Sequence, residues 1–186
     1  MKKIVTLLVL SIVLTGSVIH ATSGSLQKSD KPRLAVLEFT TPFTASDADK
    51  KDVSLATQNM LNAELARTGK FRIVEREQLV GTLNFWRLPV GGEIDPATAV
   101  RIGKQLGVNY VATGAVTEYG VTDKGGHGAA PFAITIKLTL INVATGVTAW
   151  SGEERQVGAP GPGKVMDRVM KPCIQKLTAS LKAADL

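Results

Sequence analysis

Glu75, Arg76 and Glu77 are the densest knot of charge in the 186-residue chain, set in the segment GKFRIVEREQLVGTL that begins at Gly69. Two carboxylates beside a guanidinium could act as a general acid and base with an arginine clamp. The same three residues also suit a structural corner. Phe71–Val74 is a short β-type run, and the acidic residues that follow sit in the first turn of a helix, where its dipole favours them. Such corners are far commoner than acid–base pairs, so a capping and ion-pair role is the expectation.

The other reactive groups are sparse. His127 stands among Gly125, Gly126 and Gly128, but a glycine loop cradles phosphate when it opens a helix, and this one lies between two strand-like segments. A plain turn is expected there. His20 falls in the N-terminal apolar region, which leaves one histidine for the folded part and gives no support to a zinc site or a Ser-His-Asp arrangement. Cys173, the single cysteine, lies on the apolar stripe of the last helix, where a thiol behaves as a small hydrophobe. No catalytic residue, cofactor or metal is expected. Phe85 and Trp86 are adjacent aromatics near a glycine loop, and both core packing and the anchoring of a partner fit them.

The elements that must position these residues can be read in order. Arg33–Phe39 is nearly continuous apolar sequence, as in a strand covered on both faces. Asp47 or Asp49 can cap a long helix to about Thr68, with Val53, Ala56, Met60 and Ala63 on one face, Leu61 and Leu65 widening the stripe, and Gly69 ending it. A helix over Glu77–Phe85 follows. Asp95-Pro96 is an N-cap with proline at the first helical position, and Gly107 is a C-cap. Asn109–Thr122 reads as a strand interrupted by Gly114, which marks a bulge or a close backbone approach.

Phe132–Val143 alternates, with Ile134, Ile136, Leu138 and Leu140 facing one way and Thr135, Lys137 and Thr139 the other. Ala144-Thr145-Gly146 is a hairpin turn into a strand over Val147–Val157. Val165, Val169, Cys173, Leu177 and Leu181 recur every four residues in a closing helix, in which Pro172 predicts a kink or a restart. The fold class is therefore α/β: a mixed sheet of about five strands with a C-terminal antiparallel meander, covered by about four helices.

Lys2 and Lys3, the apolar run Ile4–Ile19 and the small residues after it read as a secretory signal peptide over residues 1–21, cleaved after Ala21 or near Ser23. Residues 22–32 read as a flexible linker, and 33–186 as one domain. Leu14-Thr15-Gly16-Ser17 looks like a lipobox with Ser17 in place of the acylated cysteine, though ordinary signal sequence is the favoured reading. The net charge of +6 falls by two with the leader. Basic residues never run beyond the pair Lys50-Lys51, and nine aromatics are scattered, so nucleic-acid binding is not expected.

The order FRIVER, a capped helix DPATAVRIGKQLG, and then VATGAVTEY resembles the curli secretion channel (CsgG) family of bacterial envelope proteins over Arg33 to about Gln156. The domain is also similar to the lipoprotein activators of penicillin-binding proteins. The resemblance implies a non-enzymatic periplasmic domain, with the outer membrane as a site of association, whose partners are other envelope proteins or further copies of itself. It also implies two long hairpins that build a β-barrel pore, one after the Glu-Tyr strand and one before the closing helix. The corresponding stretches here, GVTDKGGHGAAP from Gly120 and QVGAPGPGK from Gln156, are too short and too rich in turn residues to cross a bilayer. Three functions stay open: an accessory or assembly factor for secretion or curli-type export, an activator-type partner of a cell-wall synthase, and a ring-forming channel subunit.

Overall fold

In the computed structural model, residues 31–43, 46–88, 94–122, 131–158 and 161–181 are described. Among them the elements run β1 (Arg33–Val36), α1 (Asp47–Thr68), β2 (Arg72–Ile73), α2 (Arg76–Phe85) and α3 (Pro96–Leu106). Then come β3 (Tyr110–Val121), β4 (Phe132–Asn142), β5 (Thr148–Gly158) and α4 (Pro162–Ser180). The sheet order is β2-β1-β3-β4-β5. β1 pairs parallel with β2 and β3, and β3, β4 and β5 form the antiparallel meander. This is the expected α/β fold.

Alternation along the strands builds a core on each side of the sheet. Leu34, Val36, Ala112, Val116 and the row Ile134–Ile136–Leu138–Leu140 meet α1 and α4. Ala35, Leu37, Val111, Ile141 and Val143 meet α2 and α3 on the opposite face. β1 is thus buried on both sides, as its unbroken apolar run requires.

Caps fix the helix ends. Asp95 accepts from the N–H groups of Ala97 and Thr98 at 2.9 and 3.0 Å, and Gly69 and Gly107 close their helices at φ of 66° and 61°. The cap of α1 is Ser46 rather than Asp47 or Asp49. Its hydroxyl accepts from Asp49 N–H at 3.2 Å and donates to the Asp49 carboxylate at 2.6 Å, a reciprocal box that the aspartates cannot form alone.

The buried face of α1 also differs from the expected stripe. Ala56 and Ala63 are exposed and Met60 is half-buried, while Val53, Ser54, Thr57, Gln58, Leu61 and Leu65 point inward. Three of these six are polar: Thr57 donates to Val53 C=O of its own helix at 2.7 Å, and Ser54 and Gln58 face the end of β1, where backbone carbonyls lack strand partners. Ser54 donates to Phe39 C=O and Gln58 to Val36 C=O, both at 2.7 Å. Hydrophobicity alone could not show this face.

β2 is shorter than the expected Phe71–Val74, since Phe71 and Val74 are core side chains that flank a two-residue pairing. α4 runs through Pro172 without a restart; proline removes one N–H, but seven buried side chains from Val165 to Leu177 hold the helix to the sheet. Gly114 does not interrupt β3. A Cβ there would lie 2.2 Å from Lys137 C=O and 2.7 Å from the Phe39 ring, so the glycine marks a close approach. The irregularity falls between Val116 and Glu118, where Thr117 is the extra residue of a bulge.

Candidate interaction site

The corner at Glu75–Glu77 does not close on itself. Glu75 is the N-cap of α2 without a side-chain cap bond, and Glu77 is an exposed first-turn residue. Arg76 instead reaches away from both. Its Nη2 meets Glu38 Oε1 at 3.0 Å, and its Nη1 donates to Gln58 Oε1. Gln58, 1% exposed, therefore joins the end of β1, α1 and the start of α2. At Arg76 the ion-pair corner is a three-element clasp in which Glu38 and Gln58 are the partners that sequence reading missed.

α2 ends in a left-handed turn at Arg87, φ 52°, the one non-glycine residue with positive φ among those described. Leu88 N–H reaches Leu83 C=O at 2.8 Å and Arg87 N–H reaches Asn84 C=O at 3.2 Å, while Leu83 and Leu88 pack in the same core. This pattern is a Schellman closure. With Leu83 and Leu88 turned inward, Phe85 and Trp86 are left at the surface, 78% and 50% exposed, their rings 5.3 Å apart and edge to face. Of the two roles that fitted these residues, core packing is not the one the geometry gives them.

On the α2–α3 face, among the described residues, the helices cover only one end of the sheet. Farther along, Thr113, Ala115, Lys137 and Thr139 floor an open trough of about 550 Å³ walled by Thr40, Pro42 and Ile94. At the end of the sheet a second cleft of about 560 Å³ is lined by Phe43, Glu118, Tyr119, Pro131, Arg155 and Val157. Arg155 binds Glu118 through two bonds of 2.7 and 2.9 Å, and Thr135 adds a third at 2.7 Å. The arginine first, then the threonine hydroxyl, hold the Glu118 carboxyl below its ordinary range. Strand pairing places these three in one row, and no sequence motif signals it.

Burial pushes the Cys173 thiol up to about 12, so the thiolate is not formed near neutrality. His127 and the glycines around it lie outside the described residues. Among the described residues, no group of three or more metal-ligating side chains is close enough to hold an ion, and no helix is long and apolar enough to cross a membrane.

A mixed sheet with parallel early strands, an antiparallel meander and helices on both faces defines an α/β domain. The chain belongs to the family described as curli production assembly/transport component CsgG, whose family model matches residues 5–154. Among solved structures it is similar to the PelC dodecamer from Paraburkholderia phytofirmans at 18% identity and TM-score 0.53, covering 79% of this chain and 87% of that one. It is similar to lipoprotein GNA1162 from Neisseria meningitidis at 13% identity and TM-score 0.56, covering 80% and 99%. The solution structure of LpoB from E. coli gives 23% identity and TM-score 0.50, covering 69% and 57%. These likenesses show a shared fold. No curated protein matches the sequence.

Proposed function

We propose that this chain is a non-enzymatic protein-interaction domain of the periplasm, an accessory or assembly factor for envelope secretion or curli-type export. Membership of the CsgG family supports the setting. The observation that carries the choice of accessory over channel is the length of two connections. β3 ends at Val121 and β4 begins at Phe132, while β5 ends at Gly158 and α4 begins at Pro162. A barrel hairpin needs two strands of about 9–11 residues each, and neither connection supplies a pair of them.

In this reading residues 1–21 direct export and are removed, residues 22–32 tether the domain, and Ser17 takes no lipid. Phe85 and Trp86 anchor the partner, as exposed aromatics with a rigid placement do. The basic residues Arg87, Arg101 and Lys104 on the same helical layer supply no dense stripe that would favour nucleic acid.

Affinity capture from envelope extracts tests the reading, using the wild-type protein and the double variant Phe85→Ala/Trp86→Ala. A secretion component recovered by the first and lost by the second is the expected result. Recovery of a penicillin-binding protein instead would favour the activator-type function, and discrete conductance steps in planar bilayers would establish a channel. Mass spectrometry of the mature N-terminus should show a start near Thr22 or Gly24. A diacylglyceryl adduct would overturn the unlipidated state proposed here, and a cytoplasmic chain that retains Met1 would overturn the export.

A further inference from the structure

The two edges of the sheet are unequal. β2 offers two residues, whereas β5 is eleven residues long and, among the described residues, borders β4 on one side only. Its hydrogen-bonding direction follows from the ladder. Asn142 N–H bonds Val147 C=O across the turn, and Thr122 N–H bonds Pro131 C=O on the other side of β4. Since bonded and non-bonded positions alternate, even-numbered residues of β4 point their backbone groups at β5. With Ile136 opposite Glu154 and Leu138 opposite Gly152, the even positions of β5 serve β4. The N–H and C=O groups of Ser151, Glu153, Arg155 and Val157 therefore face the free edge.

A row of exposed bonding groups normally invites aggregation, and edge charges normally discourage it. Here the charges do something more selective. We propose that β5 is a self-recognition edge, through which two copies of this chain join their sheets by antiparallel β5–β5 pairing about a two-fold axis at Glu154. In that register Glu153 stands opposite Arg155 of the second copy, twice by symmetry, on the open face of the sheet. Each such pair continues a row already present. Lys137 stands opposite Glu153 within one copy, and Arg155 of the other copy is held by its own Glu118 across Thr135. The joined row reads Lys137, Glu153, Arg155, Thr135, Glu118, with opposite charges next to one another throughout.

On the other face the two Glu154 side chains meet at the axis, and each already carries an ion pair to Lys176 of α4. Slipping the register by two residues either way sets Glu153 opposite Glu153, or Arg155 opposite Arg155. Either slip loses both Glu153–Arg155 pairs, while the like pair at the Glu154 axis is offset by the two Lys176 ammonium groups, so one register is selected. A head-to-tail extension has no matching partner, because the β2 edge is too short to pair with β5. The occupant is thus a second β5. The proposal is independent of which envelope partner the chain serves, and a failed capture leaves it standing.

Sedimentation of the purified protein should show a monomer–dimer equilibrium. Glu153→Arg alone and Arg155→Glu alone should each weaken self-association by about tenfold or more, since each sets two like-charge pairs across the seam. An equal mixture of the two variants should restore it to within about threefold, because both seam pairs are then complementary. Glu154→Cys should give a disulfide-linked dimer on mild oxidation. Non-bonded antiparallel neighbours have Cα atoms about 4.5 Å apart, within disulfide reach, and the native Cys173 is buried. A protein that stays monomeric to about 100 µM overturns the proposal. So does a dimer that neither charge variant weakens and Glu154→Cys does not link; the cysteine arm stands even if Arg155→Glu fails to fold.

Discussion

Arg155 on the edge strand holds Glu118 two strands away, with Nε and Nη2 both donating to the carboxylate across the intervening Thr135 of β4. The pair spans the meander at the end of the sheet that the helices leave open. Because the partner stabilises the charged form, the folded-state pKa of Glu118 lies below its ordinary 4.5. Its contribution to stability is therefore present above the unfolded-state value and lost as pH falls through the lowered one. In acid denaturation, Glu118→Gln should be less stable than wild type at pH 7, and the gap should close as pH drops below about 4. A gap that stays constant from neutral to acid pH would contradict this.

The Gln58–Arg76–Glu38 clasp makes a different forecast for the charge knot. Gln58→Leu strands Val36 C=O in the core and should cost about 1–3 kcal/mol by urea denaturation. Arg76→Ala should cost about 1 kcal/mol, while Glu75→Ala and Glu77→Ala, which make no side-chain contact of this kind, should lie within about 0.5 kcal/mol of wild type.

Three glycine-to-alanine changes should differ in sign. Gly114→Ala drives a methyl into Lys137 C=O and the Phe39 ring, at a cost of about 3 kcal/mol. Gly103→Ala meets Cγ2 of the buried, stiff Val143 at 2.3 Å and Cγ2 of Val111 at 3.0 Å, and should cost about 2–3 kcal/mol. Gly81→Ala meets nothing within 4 Å on a helix surface and should stabilise by about 0.5–1 kcal/mol. Thermal melts of the three variants check the order.

Arg87 pays a backbone penalty to close α2. Arg87→Gly keeps the Schellman bonds and relieves the left-handed strain, so the melting temperature should rise, by the equivalent of about 1 kcal/mol at most. A fall would mean that the Arg87 side chain holds contacts worth more than the strain.

Much of the architecture was legible because it rests on local rules. Asp95-Pro96 and Gly107 bracket α3, the alternation from Ile134 to Leu140 faces one core, and the four-residue recurrence from Val165 to Leu181 marks α4. What stayed hidden depends on partners distant in sequence. Gln58 looks like a solvated helix residue until β1 supplies Val36 C=O, 22 residues away, and Glu118 and Arg155 meet only because β4 lies between them. Trp86 could be read either way because its exposure follows from the turn at Arg87, a conformation that an arginine gives no reason to expect.

The bulge at Thr117 has a consequence for how this strand tolerates change in length. Counted strictly by twos from the buried Val116, Glu118 would enter the core and Tyr119 would face outward. The extra residue restores Glu118 to Thr135 on the open face and Tyr119 to Ile134 on the covered one. Removing Thr117 therefore leaves every later side chain of β3 on its present face, whereas removing Ala115 inverts the near half of the strand or shears its pairing with β4. Position 117 is the place where this strand can lose a residue, and drift in length among descendants, without exchanging its inside for its outside. Circular dichroism melts of the two single-residue deletions should show the first folding cooperatively and the second not.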